Sequence, residues 1–171
     1  MKQPTKEEPF YKYLDEYRKQ LRKGAVRAAY EGLMGYLQDL RLHLKNRHPD
    51  YFVSEVQFGL MDFSYFYFFP KTLKQQNLKI VILFIHDTVT FEVWLSGYNK
   101  AAQAKHWKRF VEGGWNKHPL AETTKGTDYI TKAVLVDTPD FSNPDALADQ
   151  IEKGTLQFIS DVKGFIAEHK K

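Results

Sequence analysis

The sequence predicts an α+β domain: a four-stranded, mainly antiparallel sheet with helices covering at least one face. Three observations predict it. An apolar, β-branched run from Lys79 to His86 is followed, two residues later, by an alternating run from Val89 to Leu95. Amphipathic stripes of helical period lie on both sides of this pair. The connector before it, Lys71 to Asn77, is too short for a parallel crossover with a full helix of its own. The element order is α-α-β-β-β-α-β-α, with an N-terminal helix pair and a C-terminal helix packed on the sheet.

The helix pair comes first. Phe10, Leu14, Tyr17 and Leu21 form one stripe in a helix predicted from about Lys6 to Lys23, and Gly24 breaks it. A stronger stripe follows over Ala25 to about Arg47: Val26, Tyr30, Leu33, Leu37, Leu40 and Leu44. Asn46 to Pro49 ends it, because a residue before proline avoids the helical region. The short join predicts a helix hairpin packed on the sheet of its own chain. Such a leucine seam also suits a homodimer formed through helical surfaces.

Tyr51 to Phe69 holds one long strand or two short ones, with Gly59 at a bulge. Its clearest part is Leu60 to Phe69, where Met61, Phe63, Tyr65, Tyr67 and Phe69 share a face and Pro70 is the stop. In the hairpin that follows, a two-residue loop at Asp87-Thr88 pairs Phe84 with Phe91, Ile82 with Val93 and Ile80 with Leu95. A three-residue loop would instead bury Glu92 in this ladder. The other face then carries Val81, Leu83 and Ile85 beside Thr90, Glu92 and Trp94. A Glu and a Trp on an apolar surface line a pocket or, on an edge strand, leave the carboxylate in solvent.

Asn99 caps a helix from Lys100 to about Glu112, with Trp107, Phe110 and Val111 as core contacts and Gly113-Gly114 as its end. Asn116 to Asp128 is a polar loop without a predicted place. Ile130 to Val136 is the fourth strand. Pro144 opens a last helix, capped by Ser142 or Asn143 and running to about His169.

Composition narrows the function classes. The chain has 171 residues, enough for one domain with a sizeable core. With no cysteine, disulfide frameworks, thiol catalysis and cysteine-type zinc sites are excluded, and a reducing cytoplasm fits. No apolar run reaches the ~18–20 residues of a membrane span, and the first dozen residues lack the apolar core of a signal peptide. The net charge of +4 is a weak pointer to an anionic partner. Nucleic acid is disfavoured, because Glu7, Glu8, Asp15, Glu16 and Glu31 interleave with the basic residues of the helix pair. His43 and His48 stand five apart, not the three or four of helical zinc pairs, and show no third ligand nearby, so no metal is assigned. The sequence names no cofactor.

Two functional readings remain. The first is a small soluble binding or interaction domain with an aromatic-lined site for a small anionic ligand. Its residues are Tyr65, Tyr67, Trp94, Tyr98, Asn99 and Lys100. A strand ends and a helix begins at Ser96-Lys100, so backbone N–H groups and the positive helix end meet there, with Lys100 as a cation and Tyr98 as a ring to stack. The second is a hydrolase working through Asp62, His86 and Glu92, with His86 as general base.

The chain resembles a family of uncharacterised bacterial proteins of similar length. The likeness rests on Asp50-Tyr51-Phe52-Val53, Met61-Asp62, Phe68-Phe69-Pro70, Phe91-Glu92-Val93-Trp94-Leu95, Gly97-Tyr98-Asn99-Lys100, Val136-Asp137 and Pro139-Asp140-Phe141. It implies an intact domain and no particular chemistry. The element order is also similar to the core of restriction-endonuclease-like nucleases. That likeness implies Asp62 as first acid and Glu92 as second, for a metal-dependent hydrolase or a degenerate relative of one. Trp94 stands where those enzymes place a lysine.

Overall fold

The computed structural model describes residues 9–169. The elements are α1 (Phe10–Arg22), α2 (Ala25–Arg47), β1 (Tyr51–Val53), β2 (Phe63–Pro70), α3 (Lys71–Lys74), β3 (Leu78–Ile85), β4 (Thr90–Gly97), α4 (Lys100–Glu112), β5 (Thr131–Val136) and α5 (Pro144–Glu168). They divide into two compact units, one ending at Gln38 and the other running from Asp39.

In the first unit, α1 and the start of α2 are joined at Gly24, whose φ of 81° suits a residue without a side chain. The predicted stripe residues Phe10, Leu14 and Tyr17 are exposed. Lys6 to Glu8, where the first helix was expected to begin, lie outside the described residues.

The second unit is built on a fully antiparallel sheet in the order β1-β2-β3-β4-β5. It has five strands, not four. The added edge strand, β1, pairs Tyr51 with Pro70, Phe52 with Phe69 and Val53 with Phe68. Three residues are too few to show alternation, and a proline at a strand end is tolerated where its missing N–H costs no ladder bond. β2 also begins at Phe63 rather than Leu60. Met61 takes a positive φ of 64°, and the Asp62 carboxylate accepts from the Leu60 and Phe63 N–H groups, closing a turn.

The hairpin register is the one the alternation predicts: Phe84 opposite Phe91, Ile82 opposite Val93 and Ile80 opposite Leu95. These side chains join Phe66, Phe68, Leu147, Ile151, Phe158 and Val162 in the buried core, with α5 packed on β5 and β4. From Asp39 onward α2 contributes Leu40 and Leu44 to that core. Its Arg41 is buried, donating to the Ser54 carbonyl and pairing with Glu55. β5 lies beside β4 through a bulge opposite Phe91 and Glu92. β4 is therefore an inner strand, and Glu92 does not sit on an edge. Val111, expected in the core, is exposed on α4, while Phe110 is fully buried against Trp115 and Phe165.

Candidate functional site

Pleating sends alternate side chains to opposite faces. The face away from the Phe84 ladder carries Phe63, Tyr65 and Tyr67 from β2, Lys79, Val81 and Leu83 from β3, and Trp94 from β4. Together these form the floor of an open cleft of about 730 Å³. That is within the usual range of small-molecule sites, roughly 300–1,000 Å³. One wall is the end of β4 and the start of α4: Ser96, Gly97, Asn99, Lys100, Gln103 and Ala104. The facing wall is Thr124, Gly126, Thr127 and Asp128, from the loop that had no predicted place. A bridge between Leu120 and Thr131 and a bond from Trp107 Nε1 to the Ala121 carbonyl (2.7 Å) hold this loop.

The aromatic floor is continuous. The Tyr65 and Tyr67 rings meet edge to face at 5.6 Å, and Phe63 lies 5.9 Å from Trp94. Lys79 Nζ stands 4.7 Å from the centre of the Tyr67 ring and 5.9 Å from that of Tyr98, a cation held over π faces. Burial, helped by the neighbouring Tyr67, pushes the Tyr65 hydroxyl above the usual tyrosine range, so it stays a neutral donor. Glu92 is bound beside the floor. It accepts from Trp94 Nε1 at 2.6 Å and pairs with Lys132 Nζ at 3.1 Å, which fixes the Trp94 ring.

At the α4 end, Asn99 caps the helix by accepting from the Ala102 N–H at 2.8 Å. Gly97 N–H donates to Gln103 Oε1 at 2.6 Å, which leaves the Gln103 amide nitrogen pointing its two protons elsewhere. That nitrogen is buried and has no acceptor among the described residues. Gly97 is required here, because a Cβ would run into the Gln103 backbone, with Cα only 2.7 Å away.

Of the residues read as a ligand site, Tyr65, Tyr67, Trp94, Asn99 and Lys100 line this one cleft. Tyr98 sits outside that lining, partly exposed, with its ring edge-on to Phe69 at 6.2 Å. The ligand-site reading leaves out Phe63, Lys79 and Gln103, while Val81 and Leu83 stand on the pocket face that the hairpin register predicts beside Trp94. The hairpin register already places Lys79 opposite Ser96, and Gln103 lies one helical turn past Asn99, so both could have been found.

Asp62, His86 and Glu92 do not converge. Glu92 points to the cleft face. His86 points to the other, where its ring meets Phe84 at 5.1 Å and its Nε2 lies 2.9 Å from the Ser64 hydroxyl. Burial lowers the His86 pKa, with the charge of Asp62 opposing. The Ser64–His86 contact has the composition of a nucleophile and base, but Ser64 is buried in the core and closed to a substrate. The Asp62 carboxylate is held low by the N–H of Phe63 and serves its own turn.

A second polar cluster joins α2 to α5. His43 Nε2 is 2.9 Å from Glu152 Oε2, and His48 Nε2 is 2.6 Å from Glu152 Oε1. Arg47 reaches Asp149 at 3.1 Å and Glu152 at 3.4 Å. Burial alone would raise the Glu152 pKa, but the bonds from His48 and His43 and the charge of Arg47 bring it below the usual range.

No helix among the described residues is long and apolar enough to cross a membrane. Comparison with curated proteins and with solved structures finds no match. One family model matches residues 10–166, nearly the whole of both units, and the chain accordingly belongs to the family described as Domain of unknown function (DUF7000).

Proposed function

We propose that this domain is a binding module whose cleft takes a small molecule with a flat apolar body and an anionic group. The observation that supports it best is the meeting of an aromatic floor with Lys79, Lys100 and the N-terminal end of α4. A flat ring lies on Tyr65, Tyr67 and Trp94, where each aromatic contact adds roughly 0.5–1.5 kcal/mol beyond area burial. A carboxylate or phosphate faces the two lysines and the positive end of the helix dipole. The Gln103 amide, buried without an acceptor, supplies a further donor at that end.

The hydrolase reading asks Asp62, His86 and Glu92 to share one reacting centre, and they lie on different faces of the sheet or in a separate turn. The binding reading needs no such convergence. The test is a thermal-shift screen of aromatic carboxylates and phosphates, followed by titration on tryptophan fluorescence. A ligand at 100 times its Kd stabilises the fold by about 2.7 kcal/mol. A Lys79→Ala/Lys100→Ala double variant should weaken a hit at least tenfold and remain folded. Hits whose affinity this variant leaves unchanged, or that no Trp94→Phe variant alters, would refute the reading.

A further inference from the structure

The α2–α5 cluster has a composition that hydrogen bonding alone does not require. His43 from α2 and Asp149 and Glu152 from α5 each offer one ligand atom, and these atoms all lie within 4.8 Å of one another. We propose that these three residues form a site for a divalent transition-metal ion such as Zn²⁺, with His48 orienting Glu152 and Arg47 holding the site when no ion is bound.

Geometry is the first argument. Ligands at about 2.0–2.2 Å from a tetrahedral Zn²⁺ lie roughly 3.3–3.6 Å from each other. Here His43 Nε2 is 2.9 Å from Glu152 Oε2 and 3.8 Å from Asp149 Oδ1, values on either side of that spacing. Small side-chain shifts suffice to centre an ion among them. Asp149 and Glu152 are three apart on one helix, so they share a face. His43 comes from a distant part of the chain, so the site exists only when the fold does.

The chemistry is the second argument. One imidazole and two carboxylates suit a first-row divalent ion and leave a fourth position for water. Glu152 is nearly buried while the Asp149 side chain is 64% exposed, giving an inner anchor and an outer, open side from which an ion enters. His48 bonds the Glu152 oxygen that His43 does not, Oε1, and so fixes the carboxylate with Oε2 turned toward His43. Such outer hydrogen bonds typically carry 10- to 100-fold of a site's metal affinity.

Arg47 is the opposing group. Its guanidinium now bonds Asp149 Oδ1, the oxygen an ion would take. The side chain is more than half exposed, so it can leave for water when a doubly charged ion replaces it. This makes a prediction that a purely structural ion-pair network does not: removing the arginine strengthens metal binding.

The experiment uses the full chain, free of any tag and stripped with chelator, titrated calorimetrically with Zn²⁺ and spectroscopically with Co²⁺. Wild type should bind one equivalent and at 100 times Kd melt some 5–10 °C higher. Asp149→Asn and His43→Gln should each weaken binding more than tenfold, His48→Gln by 10- to 100-fold, and Arg47→Gln should tighten it. Asp149 is exposed, so Asp149→Asn carries the test should His43→Gln fail to fold. The proposal is overturned if neither wild type nor Arg47→Gln binds stoichiometrically, or if Asp149→Asn binds as tightly as wild type.

Discussion

Replacing Phe84 by alanine tests the core at its centre. Phe84 is fully buried in an inner strand, with the rings of Phe91 and His86 each 5.1 Å away and Phe141 at 6.2 Å. Truncation removes roughly 150 Å² of buried apolar surface, and at about 25 cal/mol/Å² that is ~3.8 kcal/mol. Lost ring pairing adds about 0.5–1.5 kcal/mol, and partial collapse of the cavity returns some of it. The expected loss is about 3–5 kcal/mol. Urea unfolding at neutral pH measures it; with m near 2 kcal/mol/M, the midpoint falls by about 2 M. The m-value should stay constant, since the native fold is kept. A loss under about 1 kcal/mol would mean that Phe84 does not face a packed core, and the strand register would be wrong with it.

Three further outcomes are expected. Gly97→Ala drives a Cβ into the Gln103 backbone, so it should cost about 1–3 kcal/mol and displace the start of α4; a variant as stable as wild type in urea refutes that close approach. Glu92→Gln weakens the bonds to Lys132 and Trp94, costing about 1–2 kcal/mol and changing tryptophan emission; unchanged emission counts against the fixed ring. His106 is buried, donates from Nε2 to the Gln76 carbonyl and has no partner for Nδ1 among the described residues. Burial lowers its pKa, the bond to Gln76 opposes, and Arg109 and Lys105 lower it further. Its folded pKa thus lies below the unfolded value near 6.5, so its contribution is whole above that pH and is lost as pH falls below it. Between pH 7.5 and 5 the wild type should lose more stability than His106→Gln does; equal losses exclude His106 as a cause.

The hairpin was legible because two local rules agree there. Alternation from Val89 to Leu95 admits one register that keeps Glu92 off the ladder, and that register then orders Tyr65, Tyr67 and Trp94 on the opposite face. Asn99 was legible for a similar reason, since capping is a contact over three residues. β1 was legible only as one of two alternatives for Tyr51 to Phe69, because a three-residue strand is specified by its partner and not by its own pattern. The wall at Thr124 to Asp128 was not legible, because its position is set by Leu120, Ala121 and Ser96. The pairing of His43 and His48 with Glu152 spans more than 100 residues, and no local spacing encodes such a meeting.

The order of the strands in space is their order along the chain, and this bears on how the molecule assembles. β2, β3 and β4 are joined by short connections, one of them carrying α3, so their pairing closes small loops at a low entropic cost. β5 reaches β4 only after the chain from Tyr98 to Ile130 has been laid down, and α5 follows it. The facing wall of the cleft belongs to that long connection, and the α2–α5 cluster waits for the last helix. By contact order alone, the facing wall of the cleft and the α2–α5 cluster depend on the more distant contacts, and the pairing of β2, β3 and β4 on the nearer ones.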